Sequence, residues 1–316
     1  MNYQVQDKKN MPTFFLAGVM KSGTSSLTSL LKQHENVFCT PAKEPSFFSL
    51  RYERGKEYYL ERYFSKWSGE QEVFEANPRN FFLPHVPHRI RETVPDPKFV
   101  VILRNPVDRA YSHWWMKYSS GRETKPFKQA IHTNLDRLSS GQEFTYPESI
   151  DMWKRHRKAR NEGHPLGVYR IYVDMGRYDR HFERYIDLFS SERMHVVFLD
   201  DLKEDPVSTV RNVWRYLDLE PDRPVELDDE HRVGAVGENV QHAWTFLCRL
   251  GRTFNAGKYI PDNTVEHTRR WARNLFGSQK PEMNKRVRQT LYEYYRPRMR
   301  ALSSMIDRDA TSLLEG

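Results

Sequence analysis

The sequence predicts an α/β fold in which helices cover both faces of a central parallel sheet, giving three layers. Three apolar runs are predicted strands, and each leads towards a helical pattern: TFFLAGV at 13–19, KFVVILR at 98–104 and MHVVFLD at 194–200. Strands that alternate with helices form parallel sheets that are buried on both sides. The 316 residues are enough to bury such a core.

The first half of the chain supplies most of this pattern. The first strand leads through a glycine turn into the helical segment SSLTSLLKQH (25–34), and EVFEAN (72–77) is a further predicted strand. After the strand at 98–104, Asn105 can cap the helix NPVDRAYSHWWMKY, and Pro106 suits its first turn.

The second half adds three predicted helices. GRYDRHFERYIDLF (176–189) has amphipathic spacing, and PVSTVRNVWRYLDL (206–219) follows the strand at 194–200. The segment at 280–306 is a predicted helix that is kinked or interrupted at Pro297, because proline removes a helix hydrogen bond.

We expect residues 1–11 to be a polar arm and residues 12–316 a single domain, because no repeat or flexible linker is visible. Cys39 and Cys248 lack metal-site or disulfide-framework spacing, which favours a reducing compartment. The longest interior apolar run, FVVIL at 99–103, is far too short to span a membrane, and the N-terminus lacks the apolar core of a secretory signal. The expectation is therefore a soluble, cytoplasmic protein.

The charge of the chain suits an anionic ligand. The net charge is +8 and the isoelectric point is near 9.3, which fits nucleic acid, polysaccharide or nucleotide equally well. The histidines are scattered and no HExxH motif occurs, so no metal site is expected.

The glycine turn after the first strand resembles a phosphate loop, but its lysine is displaced. A Walker loop has lysine directly after its last glycine, whereas Lys21 precedes Gly23. Backbone N–H groups and a positive helix end still favour a phosphate at such a turn. The residues expected to hold it are Lys21, Ser22, Gly23, Thr24, Ser25 and Ser26.

A second anion site is predicted after the strand at 98–104. Arg104 stands at the carboxyl end of that strand, where ligands of open α/β sheets collect. Ser112 follows about two helical turns later. A guanidinium and a hydroxyl together suit a phosphate. Two separate phosphate sites imply a ligand with two separated phosphates. An adenosine that carries both a 5′ and a 3′ phosphate meets this requirement, and ATP does not.

Both motifs resemble those of sulfotransferases that use 3′-phosphoadenosine 5′-phosphosulfate (PAPS). TFFLAGVMKSGTSSL is similar to their 5′-phosphosulfate loop, and VVILRNPVDRAYSHW to their 3′-phosphate motif. The nearest relatives by this resemblance are the heparan-sulfate N- and 3-O-sulfotransferases and soluble bacterial members. It implies the P-loop-containing sulfotransferase fold, PAPS as donor and adenosine 3′,5′-bisphosphate as product.

The resemblance also implies catalytic roles. Lys21 would stabilise charge on the leaving phosphate oxygen. Glu44, in PAKEPSFF, stands where the glucosaminyl enzymes carry their catalytic glutamate and is the candidate base; the alternative is a surface glutamate paired with Lys43. His113 is the rival base, since other sulfotransferases use a histidine. A surface or core-edge role is the alternative for His113.

The acceptor site is less defined. Glu75, Asn77 and Arg79 follow a predicted strand and are expected to line the acceptor cleft. Polysaccharide enzymes often carry a lysine here, where this chain has Ala76 and Asn77, and this difference counts against a heparan-like acceptor.

The C-terminal third also departs from the glucosaminyl enzymes, which close a disulfide-bounded loop over the nucleotide. Cys248 stands alone there, with RVGAVGENVQ and GRTFNAGKYI, which contains Lys258, as candidate replacements.

The leading hypothesis is therefore a PAPS-dependent sulfotransferase that acts on a hydroxyl or amine of a carbohydrate or small-molecule alcohol, with no nucleic-acid partner. The alternatives are a P-loop nucleotide kinase and a non-catalytic, basic nucleic-acid-binding protein. The displaced lysine counts against the first, and the paired phosphate motifs count against the second.

Overall fold

A computed structural model describes the chain over four ranges: 11–42, 44–164, 166–227 and 281–315. Most of the predicted arm, Lys43, and the candidate loops around Cys248 and Lys258 lie outside the described residues. Met11, which we assigned to the arm, is buried in the main core at 3% exposure. The packed core therefore includes one residue more than the sequence predicted.

The described residues form a parallel five-stranded sheet in the order β2-β3-β1-β4-β5. The strands are β1 (Phe14–Gly18), β2 (Val37–Cys39), β3 (Glu72–Ala76), β4 (Lys98–Leu103) and β5 (Met194–Phe198). The predicted fold class is confirmed, as are the four predicted strands. The sequence analysis missed β2, because three residues are too few to show a period.

The described α-helices comprise five that overlap predicted segments (the first, fourth, seventh, ninth and tenth below) and five for which no bounds were predicted. They are α1 (Thr24–Leu31), α2 (Gly55–Tyr63), α3 (His85–Thr93), α4 (Pro106–Tyr118), α5 (Phe127–Ser139), α6 (Ser149–Asn161), α7 (Tyr178–Phe189), α8 (Leu199–Glu204), α9 (Pro206–Tyr216) and α10 (Lys285–Ser303). Asn105 caps α4 as predicted, because its side chain accepts from the N–H groups of Val107 and Asp108 at 3.0 and 3.3 Å. No helix in the described ranges has the length and apolar character needed to cross a bilayer.

Two apolar cores lie on opposite faces of the sheet. Phe15 and Val101 face one core with α3, α4, α7 and α10, whereas Leu16 and Ile102 face the other with α1 and α9. This alternation follows from the two-residue period of a strand. The result is the predicted α/β/α arrangement.

Helix α10 runs through Pro297 without the predicted interruption. Leu291, Tyr295 and Met299 are fully buried on both sides of the proline. The Tyr295 hydroxyl also donates to the backbone oxygen of Val173 at 2.9 Å. A proline inside a helix costs about 3 kcal/mol, whereas each large buried side chain contributes about 1.5–3 kcal/mol. Packing therefore outweighs the local preference.

Candidate active site

The candidate site lies where β1 and β4 end side by side in the middle of the sheet. The helix after β1 packs on one face of the sheet, and the helix after β4 packs on the other. Such a divergence leaves a crevice at the carboxyl ends of the strands, where ligands of open α/β sheets bind. Both predicted phosphate motifs leave the sheet at this point.

The loop after β1 is held in a shape that only glycine permits at its end. The N–H of Val19 donates to Ile102 O at 2.9 Å, which ties the loop to β4. Gly23 has a φ of 92°, and a Cβ there would lie 2.8 Å from Leu199 Cδ1. Helix α1 begins at Thr24 with no acidic residue in its first turn. Its unpaired N–H groups therefore favour an anion.

The hydroxyl groups around this loop differ in access. Thr24 and Ser26 are half-buried and Ser25 is exposed, so all three can reach a ligand at the start of α1. Ser22 is fully buried, and its N–H donates to Val19 O at 3.2 Å. The side chain of Ser22 is buried, and its predicted contact with the nucleotide stays a prediction.

Lys21 and Arg104 are brought into direct contact. Arg104 Nη1 donates to the backbone oxygen of Lys21 at 3.2 Å, and the Tyr178 hydroxyl donates to Arg104 O at 3.0 Å. Lys21 has a φ of 75°, a conformation that non-glycine residues rarely adopt. Strain of this kind concentrates at functional sites. The two predicted phosphate motifs therefore belong to one site region.

Ser112 and His113 point in different directions on α4. Ser112 is partly exposed, whereas His113 is buried and packs edge-on against Tyr172, with ring centroids 5.0 Å apart. Burial, together with the charges of Arg109 and Lys117, lowers the pKa of His113 well below 6.5. The imidazole is therefore neutral at physiological pH.

Glu44 is presented by a loop that the end of β3 holds in place. Its φ is 60°, and its Oε2 lies 2.7 Å from Arg79 Nη1. The Asn77 side chain donates to Pro45 O at 2.8 Å and accepts from the Arg79 N–H at 3.2 Å. Asn77 is fully buried, so it positions the Glu44 loop and does not line the acceptor cleft as predicted.

A small pocket of about 40 Å³ connects these elements. One side carries Met20, which precedes Lys21, and Arg79, which contacts Glu44. The opposite side includes residues of α4 and α6: His113, Lys117, Trp153, His156, Arg157 and Arg160. Lys21 and Glu44 are not among its lining residues: Lys21 follows the lining Met20 in the chain, and Glu44 is ion-paired with the lining Arg79.

The family model of the sulfotransferase domain matches residues 11–303. The chain belongs to this family. It is 28% identical over 223 residues to the bifunctional heparan sulfate N-deacetylase/N-sulfotransferase 1 of Caenorhabditis briggsae, covering 69% of this chain and 24% of that protein. It is 27% identical over 215 residues to the heparan sulfate glucosamine 3-O-sulfotransferase 3A1 of Mus musculus, covering 68% and 47%. The matched region spans less than half the length of either relative.

A solved sulfotransferase from Alicyclobacillus acidocaldarius has the same fold. Its TM-score is 0.63 at 23% identity, and the match covers 96% of this chain and 98% of that one. PAPS is the donor typical of the sulfotransferase family. Family membership favours the transferase hypothesis over the nucleotide kinase.

The sequence analysis missed three basic residues that line this pocket beside Arg79. Lys117, Arg157 and Arg160 form no ion pair with a carboxylate in the described part of the chain. Burial and neighbouring arginines lower the pKa of Lys117 to about 7, and the pKa values of Arg157 and Arg160 are lowered for the same reasons. The helical spacing of Trp153, Arg157 and Arg160 was the one signal in the sequence. It indicates a shared helix face but not what that face contacts.

Glu75 is a core residue and does not line the acceptor cleft, contrary to the prediction. It is fully buried, and its carboxyl group accepts from the Tyr59 hydroxyl at 2.6 Å and from Asn80 Nδ2 at 2.7 Å. Burial raises its pKa to about 7. The prediction treated Glu75 as a residue that follows the strand. It instead lies within β3, one residue before the strand ends, and its side chain faces the core.

The raised pKa of Glu75 predicts a pH-dependent stability. The folded protein binds the proton more tightly than the unfolded chain does, so stability falls as pH rises from the unfolded pKa near 4.5 through the folded pKa near 7. We expect the wild type to lose about 2 kcal/mol relative to Glu75→Gln between about pH 5 and 7.5. Urea unfolding at several pH values measures this difference. Exposed Glu57→Gln is the control, and a pH-independent difference for Glu75→Gln would contradict the assignment.

Proposed function

We propose that this sulfotransferase transfers the sulfuryl group of PAPS to a hydroxyl or amine of an acceptor and releases adenosine 3′,5′-bisphosphate. The observation that supports this most is the 3.2 Å hydrogen bond from Arg104 to the backbone oxygen of Lys21. It puts the loop expected to hold the 5′ phosphosulfate beside the residue expected to hold the 3′ phosphate. One doubly phosphorylated adenosine requires this proximity.

The donor would be held by two sets of groups. The free N–H groups at the start of α1 and the hydroxyls of Thr24, Ser25 and Ser26 bind the 5′ end. Arg104 and the partly exposed Ser112 bind the 3′ phosphate. The charge and the donor geometry of both sets suit phosphate oxygens.

The chemical step would use Glu44 and Lys21. The acceptor O–H or N–H gives its proton to the Glu44 carboxylate while the acceptor atom attacks sulfur in line. The bond from sulfur to the 5′-phosphate oxygen breaks, and its electron pair stays on that oxygen. The Lys21 ammonium stabilises this charge more strongly as the charge develops.

The pocket beside Arg79 supports an acceptor that carries a negative charge near the accepting atom. Lys117, Arg157 and Arg160 repel one another there, and an anionic group would offset the cost of their partial burial. Heparan sulfate, the substrate named for two relatives, meets this requirement. A sulfated or carboxylated small molecule meets it equally.

Replacing Arg104 by alanine is expected to weaken binding of adenosine 3′,5′-bisphosphate about 10–150-fold, since a charge-assisted hydrogen bond contributes about 1.5–3 kcal/mol. Adenosine 5′-phosphate lacks the 3′ phosphate and should be weakened much less, by no more than the loss of the Arg104 contact with the Lys21 backbone causes. Calorimetric titration of both ligands measures this. Equal weakening for both would mean that Arg104 does not bind the 3′ phosphate.

Ligand-dependent thermal stability separates the transferase from its alternatives. Adenosine 3′,5′-bisphosphate at about 100 times its Kd should stabilise the fold by about 2.7 kcal/mol. ATP with Mg²⁺, or an oligonucleotide, should stabilise it less. ATP lacks a 3′ phosphate, and an oligonucleotide carries its 5′ and 3′ phosphates as chain-linked diesters, which lack the terminal oxygens of free phosphates. Stronger stabilisation by ATP with Mg²⁺ would favour a kinase instead.

A further inference from the structure

A second cavity, of about 370 Å³, lies at the start of α7. Its walls include the aromatic side chains of Phe82, Phe144 and Tyr146, and the polar side chains of Arg177, His181 and Arg184. None of its described lining residues belongs to the two phosphate motifs or to the pocket beside Arg79. Its volume is in the range of small-molecule sites.

The charges around this cavity are paired with one exception. Glu143 pairs with Arg177 at 2.9 Å, and Glu183 pairs with Arg180 at 3.4 Å. Asp174, a third lining carboxylate, pairs with Arg137. Arg184 forms no ion pair with any carboxylate in the described ranges. Glu183 acts on Arg184 electrostatically but does not form an ion pair with it, so the cavity holds one guanidinium without a direct carboxylate partner in the described ranges.

Arg184 is restrained by neutral groups only. Its Nη2 donates to Phe82 O at 3.1 Å and to His181 Nδ1 at 2.6 Å. His181 Nε2 in turn donates to Asp174 O at 3.0 Å, which fixes the neutral tautomer. Burial lowers the pKa of His181 well below 6.5 and that of Arg184 to about 10. Of these two residues, Arg184 is therefore charged and His181 neutral at neutral pH. Its Nε has no partner among the described residues.

Arg184 is partly buried and has no direct carboxylate partner in the described ranges, which is costly, and a ligand that brings an anion lowers this cost. The aromatic lining residues of the cavity indicate what the apolar part of the ligand is like. Phe82 and Phe144 pack edge to face with centroids 5.3 Å apart, and Tyr146 stacks on His88 at 3.9 Å. Rigid aromatic walls of this kind suit a flat ring.

We propose that this cavity is a second ligand site, which binds an organic anion with its flat ring against Phe82 and Phe144 and its oxyanion on Arg184. A carboxylate, sulfate or phosphate on the ring provides the same charge and acceptor oxygens. The proposal does not rest on the sulfuryl-transfer reaction. It assigns a site outside the donor and acceptor regions described above.

The probe is 6-bromo-2-naphthoate, with the neutral 6-bromo-2-naphthamide as its matched control. Saturating adenosine 3′,5′-bisphosphate is present throughout, so that the phosphate motifs do not capture the probe. We expect saturable thermal stabilisation by the naphthoate and at least about tenfold weaker binding of the amide, because only the former pairs with Arg184. Equal affinity for both probes, or no saturable binding at millimolar concentration, would overturn the proposal.

Three variants locate the binding site. Arg184→Gln should lose the preference for naphthoate over naphthamide. Arg180→Gln, at the same cavity but more exposed and paired with Glu183, should keep it, as should Arg160→Gln in the pocket beside Arg79. Loss of the preference in Arg160→Gln with retention in Arg184→Gln would place the anion in the pocket beside Arg79 and refute the second site.

Crystallography of the wild-type complex keeps the test independent of the stability of Arg184→Gln. The anomalous signal of bromine should lie inside the cavity, next to the rings of Phe82 and Phe144. A bromine position elsewhere on the protein would refute the site even if naphthoate stabilises the fold.

Discussion

Replacing Glu44 by glutamine is expected to lower kcat by about 10²–10⁴-fold, the range typical for loss of a general base. Glutamine keeps the shape of the side chain but cannot accept the acceptor's proton. The variant loses the ion pair with Arg79, but the Asn77 side chain still donates to Pro45 O, so the loop itself should stay in place. The measurement is transfer from labelled PAPS to an acceptor found by screening.

Two comparisons make this result specific. Binding of adenosine 3′,5′-bisphosphate to Glu44→Gln should match the wild type, and Glu57→Gln on the exposed side of α2 should retain full turnover. Substantial residual activity in Glu44→Gln would move the role of base to another group. His113 is then the first residue to test, since it is neutral and lines the pocket beside Arg79, the residue that pairs with Glu44.

Replacing Lys21 by alanine is expected to lower kcat by about 10²–10³-fold, as for the removal of other donors that stabilise developing negative charge. The ammonium acts mainly in the transition state, so the Kd of adenosine 3′,5′-bisphosphate should change less than kcat. The backbone at Lys21 is strained, with a φ of 75°, and strain of this kind concentrates at functional sites.

Lys32→Ala is the matched control for Lys21→Ala. It removes the same charge at the opposite end of α1, where the side chain is exposed. Its kcat should equal that of the wild type. If Lys21→Ala reduces affinity and kcat/KM with kcat unchanged, the lysine binds the donor without stabilising the transition state.

The sequence predicted the strands and helices best where the local pattern was long. β1, β4 and β5 are apolar runs, and α4 has both a capping Asn105 and an early Pro106. The short edge strand β2 and the passage of α10 through Pro297 were not predictable in this way. Pairing with β3 defines the first, and burial of distant side chains stabilises the second.

Residue roles were harder to predict than elements. Ser22, Glu75 and Asn77 stand inside or beside motifs, and all three are fully buried. Sequence order placed them near the site but did not give the direction of their side chains. Conversely, Arg157 and Arg160 line the pocket beside Arg79 from α6, which no motif connects to the phosphate loops.

The order of residues by itself determined the parallel sheet, the family resemblance and the two strand-end motifs, because periodicity, capping and glycine turns act over a few neighbouring positions. Only the tertiary structure decided that Arg104 meets Lys21, that Arg79 holds Glu44, and that one guanidinium in the larger cavity has no direct carboxylate partner in the described ranges. These facts depend on contacts between segments far apart in the chain, and packing of the whole core sets such contacts.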